Sequence, residues 1–274
     1  MDPKTEVRME MDPHTPAEMA AKVEAGGVAK AGLDAGRTLV LGLLAGAFIG
    51  LGGMFYTVAV TDTGLGFGPT RILGGAAFSL GLVLVVVSGA ELFTGNNLIV
   101  IAWADRKITT LALLRNWALV YVGNFAGAVL TALGVHLSGI QAMAGGKVAQ
   151  TALAIATAKA GLAWGPAFVR GVFCNALVCL AVWMGFSART TTDKVLCVLL
   201  PVTAFVATGM EHSIANMYFL PVGLFVQGGA GGPLSWGGSL AGNLVPVTLG
   251  NILGGGAMVG LVYWFIYLRR RRGA

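Results

Sequence analysis

The sequence predicts an all-α membrane protein with six transmembrane helices, arranged as two inverted three-helix repeats in which the second and fifth helices are broken. Three observations predict it. First, only 30 of the 274 residues are charged, while 56% are apolar and 42 are glycine; a water-soluble chain carries about a quarter of its residues as charges. Between Thr38 and Leu268 just 14 charged side chains remain. That stretch suffices for six helices of roughly 20 residues, each crossing a hydrocarbon core of about 30 Å. Second, two long apolar runs are each interrupted by a polar motif. Third, those motifs and another pair recur in the same order in both halves.

Residues 1–37 read as a cytoplasmic tail ending in an amphipathic helix. Thr15, Pro16 and Glu18 supply a capping Thr, a Pro in the first turn and a Glu three residues after the cap. Met19, Val23 and Ala31 share a side opposite Lys22 and Lys30, which suits a helix lying on the membrane surface; a gate or partner-docking element is the alternative. Acidic residues such as Glu6, Glu10 and Asp12 ahead of the first apolar run predict no cleavable signal peptide.

The membrane-spanning region is residues 38–268. A first span is predicted over residues 38–60, with Gly42, Gly46 and Gly50 spaced for close helix approach in lipid. The second apolar run, 71–103, is too long for one helix and contains Gly89-Ala90-Glu91-Leu92-Phe93-Thr94-Gly95-Asn96. A third span covers 111–137 and a fourth 167–186. The fifth run, 195–225, contains Gly209-Met210-Glu211-His212-Ser213-Ile214-Ala215-Asn216. The sixth, 244–268, ends in the basic tail 269–274. With six spans, 14 of the 18 Lys and Arg residues fall on the side holding both termini, so both termini are expected in the cytoplasm.

Both interruptions share the pattern GxExxxxN. In the third span Asn116 stands seven residues before Gly123-Asn124-x-x-Gly127, and in the sixth Asn243 stands seven before Gly250-Asn251-x-x-Gly254. Three spans per half require the second half to enter the membrane in the opposite sense, and inverted repeats of this kind place their site near the midplane, at broken helices. Glu91, Glu211 and His212 are ionisable groups deep in the predicted bilayer, where polar groups mark a pathway by default. For Glu91 and Glu211, matched by the repeat, the structural reading is preferred: carboxylates accepting backbone N–H groups freed at the breaks. His212 has the apolar Leu92 as its counterpart, so its titratable ring is expected to be functional.

Other chemistries find no support. Cys174, Cys179 and Cys197 lie in apolar stretches without metal-ligand or disulfide spacing. The basic excess sits in tails and loops rather than on a nucleic-acid-binding face. Glu211-His212-Ser213 is adjacency on a helix, not a catalytic triad. Gly254-Gly255-Gly256 lacks the Lys-Ser/Thr of a phosphate loop. No enzyme activity, metal or cofactor is expected.

Glu91-Leu92-Phe93-Thr94, the run Gly209 to Met217, and Gly250-Asn251-Ile252-Leu253-Gly254-Gly255-Gly256 resemble the formate/nitrite transporter family over roughly residues 15–268. Val178 to Met184 and the stretch Tyr263 to Arg269 are most similar to its formate channel branch; nitrite or hydrosulfide channels of the family are the alternatives. The resemblance implies a homopentamer in a bacterial or archaeal cytoplasmic membrane, each protomer built like an aquaporin with its own pore. A water or glycerol channel would carry two Asn-Pro-Ala turns, which are absent.

By the same resemblance His212 is the central pore histidine and Thr94 its partner. Leu92 forms the cytoplasmic-side constriction, and Phe78, Leu82 and Phe205 form the one facing the periplasm. Lys159 is a vestibule lysine that attracts anions, and Asn175 and Asn216 lie near the histidine. An anion crossing an apolar constriction loses hydration at a cost of several kcal/mol, whereas a neutral monoacid loses far less. His212 is therefore expected to stabilise the anion or lend it a proton, with passive or proton-coupled passage of formate and other small weak-acid anions.

Overall fold

A computed structural model of the chain describes residues 13–229 and 231–269; the basic tail expected over 269–274 lies outside the described residues from 270 on. The described residues form ten helices in two sets of five, besides a 3₁₀ segment at Ile140–Gly146. The first half holds α1 (Pro16–Ala31), α2 (Ala35–Ala59), α3 (Phe67–Ser88), α4 (Phe93–Ala104, with a 3₁₀ turn at Asn97–Ile99) and α5 (Thr110–Leu137). The second holds α6 (Lys147–Ala160), α7 (Trp164–Gly185), α8 (Thr191–Ala207), α9 (Ser213–Gln227) and α10 (Trp236–Leu268). Among the described residues α2, α3, α5, α7 and α10 are long and apolar enough to cross a membrane. The fifth crossing is assembled from α8 and α9, each too short alone.

Local chemistry sets these boundaries. Thr15 accepts from the Glu18 N–H while the Glu18 carboxylate accepts from the Thr15 N–H at 2.7 Å, the predicted reciprocal cap. Asp34 and Thr109 cap α2 and α5 one way only, accepting from the Arg37 and Ala112 N–H groups. The two breaks are made by glycine: Gly89 ends α3 at φ 77° and Gly209 follows α8 at φ 75°, a left-handed conformation costly for other residues.

Glycine also sets the helix spacing. A Cβ on Gly46 of α2 would overlap the Asn124 carbonyl of α5, and one on Gly127 would overlap the Leu43 carbonyl. In the second half Gly250 and Gly254 of α10 press on the Phe168 and Val172 carbonyls of α7. Such contact stands in for the hydrophobic drive that lipid does not provide between helices.

Two helices outside the spans pack on the bundle. The apolar side of α1 faces protein: Met19, Ala20 and Val23 are buried against Leu98, Ile101, Cys179, Trp183 and Val259 of its own bundle. The segment before the fourth span is also a helix, α6, with Val148, Ala152 and Ala156 buried, the second-half counterpart of α1.

Candidate functional site at the paired helix breaks

Each break is held by an asparagine from the last span of its own half. Asn124 Oδ1 accepts from the Phe93 N–H at 2.9 Å, while its Nδ2 donates to the carbonyls of Gly42 at 2.7 Å and Glu91 at 2.9 Å. Asn251 repeats this: it accepts from the Ser213 N–H at 2.9 Å and donates to Gly171 at 2.8 Å and Glu211 at 3.0 Å. Backbone groups freed in a low-dielectric interior need such partners. The predicted role of Glu91 and Glu211 as acceptors for those N–H groups therefore passes to the two asparagines.

The carboxylates bind side chains instead. Glu91 accepts from Asn96 Nδ2 at 2.6 Å and from Lys30 Nζ at 2.7 Å. Glu211 accepts from Asn216 Nδ2 at 2.6 Å and from Lys159 Nζ at 3.0 Å. Asn96 and Asn216 also donate to Asn116 and Asn243, which in turn donate to the carbonyls of Lys30 and Lys159. Both glutamates are buried, at 4% and 3% exposure, and a carboxylate that deep requires its counter-ion. Lys30 was not among the sequence-derived site residues. Its signal was present, since Ala-Lys-Ala-Gly-Leu occurs at 29–33 and again at 158–162, at the ends of α1 and α6.

The halves differ at the tip of the break. Leu92 and His212 occupy equivalent positions with nearly the same backbone, φ −107° ψ 123° and φ −109° ψ 116°. His212 Nδ1 accepts from the Ala215 N–H at 3.0 Å, and its Nε2 lies 2.9 Å from Thr94 Oγ1. Because an amide N–H can only donate, the neutral ring carries its hydrogen on Nε2 and donates it to the threonine. The Thr94 carbonyl is held from the other side by Asn175 Nδ2 at 3.2 Å and Cys179 Sγ at 3.3 Å. Asn175 thus positions Thr94 rather than touching the imidazole, and the Asn216 amide nitrogen is committed to Glu211 and Asn243.

Two cavities approach this centre from opposite ends. One, of about 340 Å³, is lined by Lys30, Lys194, Glu91, Leu82 and Leu92. The other, of about 230 Å³, is lined by Arg71, Lys159, Arg170, Phe78, Phe205 and His212. Leu82, expected beside Phe78 and Phe205, instead lines the Lys30-side cavity with Leu92: it sits one turn further along α3 than Phe78. The Phe205 ring stacks on His212 with centroids 5.9 Å apart and meets Phe78 edge-on at 6.1 Å. Leu82, Leu92, Phe78 and Phe205 are all buried, so the two cavities are separated by an apolar layer around one imidazole.

A sequence profile described as formate/nitrite transporter matches residues 17–265. The chain is 44% identical to the formate channel FocA of Escherichia coli (strain K12), covering 93% of this chain and 94% of that one. It is 40% identical to the formate channel FocA of Haemophilus influenzae over 79% and 81% of the two chains. Among solved structures, a pentameric formate channel with formate bound superposes with a TM-score of 0.78 at 40% identity, covering 86% of this chain and 98% of that one. A structure described as an FNT family ion channel superposes at 0.82 with 30% identity, over 91% and 98%.

Proposed function

The chain belongs to the formate/nitrite transporter family, and from that premise we propose that it passes formate across the cytoplasmic membrane as a homopentamer, each protomer carrying its own pore. The observation that carries this reading is the hydrogen-bonded His212–Thr94 pair set between two cavities and enclosed by Leu82, Leu92, Phe78 and Phe205. The named relatives and the formate-bound pentamer support the substrate and the assembly. The distribution of Lys and Arg supports cytoplasmic termini, which puts the Lys30-side cavity in the cytoplasm and the Lys159-side cavity in the periplasm.

The geometry gives the passage a physical course. A carboxylate entering the apolar layer sheds water, and the cost is met only where donors replace that water. The Thr94 hydroxyl, whose oxygen accepts the His212 Nε2–H, is left free to donate at that point, and the pair is held in place by Ala215, Asn175 and Cys179. Taking a second proton would put a hydrogen on Nδ1 opposite the Ala215 N–H, so protonation requires the ring to give up its backbone cap. The neutral imidazole therefore acts on an incoming anion through the Thr94 hydroxyl it polarises, and proton exchange is tied to a shift of the ring.

The test is formate flux into liposomes carrying the purified protein, with nitrite, hydrosulfide and acetate compared. Formate uptake above that of empty liposomes, without any nucleotide, is the expected result. No formate flux alongside ready passage of another of these anions would reassign the substrate.

A further inference from the structure

The charge at the Lys159-side mouth is not where the lysine suggests. Lys159 is only 3.0 Å from Glu211, and its side chain is 16% exposed, so this pair presents little net field to an approaching ion. Arg71 and Arg170 line the same cavity and, among the described residues, neither has a carboxylate partner. Their hydrogen bonds go to backbone: Arg71 donates to the carbonyls of Ala207 at 2.8 Å and Val206 at 2.7 Å, and Arg170 to that of Gly209 at 3.4 Å.

Those carbonyls form the C-terminal end of α8 and the turn after it. A helix end carries about half a negative charge, and this one opens into a cavity that an anion must cross. The helix also bears Phe205 close to that end. Two guanidiniums, one from α3 and one from α7, thus cover the negative pole next to the constriction. The end of α3 at the other break has no such cover, since no guanidinium reaches it among the described residues.

We propose that Arg71 and Arg170, rather than Lys159, are the residues that draw small anions into this mouth, by cancelling the α8 helix end and supplying the uncompensated positive charge of the vestibule. The inference rests on the anion-passing reading. It makes these arginines positioning residues for recruitment, upstream of the His212 centre. Attraction by fixed charge acts over a Debye length, about 10 Å at 0.1 M salt and about 3 Å at 1 M.

The experiment measures initial formate uptake at sub-saturating formate, in low and high potassium gluconate, for the unmodified protein, Arg71→Gln/Arg170→Gln and Arg71→Lys/Arg170→Lys. Loss of the two charges is expected to cut uptake about 3–10-fold at low salt, with the gap closing at high salt. The lysine variant, which keeps charge and loses the forked donation, is expected to retain the unmodified salt dependence. A glutamine variant whose uptake falls by one factor at all salt concentrations, matched by the lysine variant, would assign the arginines to holding α8 in place and overturn the proposal. Equal uptake in all three proteins would overturn it too. Should the double variants not assemble, the single variants are expected to show the same salt signature at smaller size, and its absence there counts against the proposal. An unmodified protein without formate flux would instead sink the transport reading itself, before any variant is compared.

Discussion

At His212 two hydrogen bonds decide what the ring can do, and the one to the backbone can be kept while its titration is removed. Asparagine can accept the Ala215 N–H through Oδ1, but it is too short to reach Thr94 as Nε2 does and has no group that titrates near neutrality. His212→Asn is expected to leave a folded, conducting protein whose formate flux varies less than the native one between about pH 4 and 8, the window spanning ordinary carboxylic acid and histidine values. A native pH profile in a well-folded variant would remove the imidazole from proton handling. The counter-ions give a second residue-scale prediction. Lys159→Met leaves Glu211 buried beside Asn216 with its cation gone, and removing one partner of a buried pair costs about 3–5 kcal/mol. A lowered thermal midpoint, largely restored by adding Glu211→Gln, is the expected outcome; a midpoint equal to the native one would show that the pair carries no stability. Trimming Phe78, Phe205 or Leu92 to Ala is expected to raise the acetate-to-formate flux ratio, and unchanged ratios in all three would place the constriction elsewhere.

Helices carry the next set of consequences. Gly46→Ala would drive α2 off the Asn124 carbonyl, and with it the asparagine that holds the first break. Expression of folded protein should collapse there. Gly134→Ala, at a position on α5 with open space around it, should be neutral or mildly stabilising. Equal yields would show that α2 and α5 can separate without harm. Helix α1 has its own pH response. Burial, and then the adjacent Asp105 carboxyl, hold the Glu24 pKa above the ordinary value, with Lys107 opposing; Trp264 Nε1 faces the same aspartate at 3.3 Å. A raised carboxyl pKa in the docked helix means docking is strongest below the ordinary value and weakens as pH rises through the raised one. Protection of α1 amides, taken relative to their intrinsic exchange rates at each pH, should therefore fall from acid to neutral pH, and Glu24→Gln should flatten that trend. The spans and both breaks were legible in the sequence because apolar length, GxExxxxN and the spaced asparagines are local signals. The docking of α1 was not: an amphipathic face reads the same whether lipid or protein covers it. Pairing of Lys30 with Glu91 across 61 residues, and the division of labour between asparagine and glutamate, depend on which polar groups the fold brings together. The five-residue repeat around Lys30 and Lys159 was the one available clue.

For the molecule as a whole, large apolar side chains such as Phe67, Leu111 and Leu200 are strongly exposed on the isolated chain, as expected of a surface shared between lipid and neighbouring copies. Native mass measurement in mild detergent should find five chains; a stable monomer would overturn the proposed assembly. The matched breaks have a further consequence. Their backbones, asparagine braces and lysine–glutamate pairs coincide, so the sense in which the central imidazole faces is written in two pairs of positions, Leu92 with His212 and Thr94 with Ile214. Exchanging them, by Leu92→His, Thr94→Ile, His212→Leu and Ile214→Thr together, would transplant the imidazole onto the opposite half with a threonine to receive it and the Gly95 N–H to orient it. The scaffold would be unaltered while its polarity was reversed, and whichever face of the membrane first governed protonation would hand that control to the other.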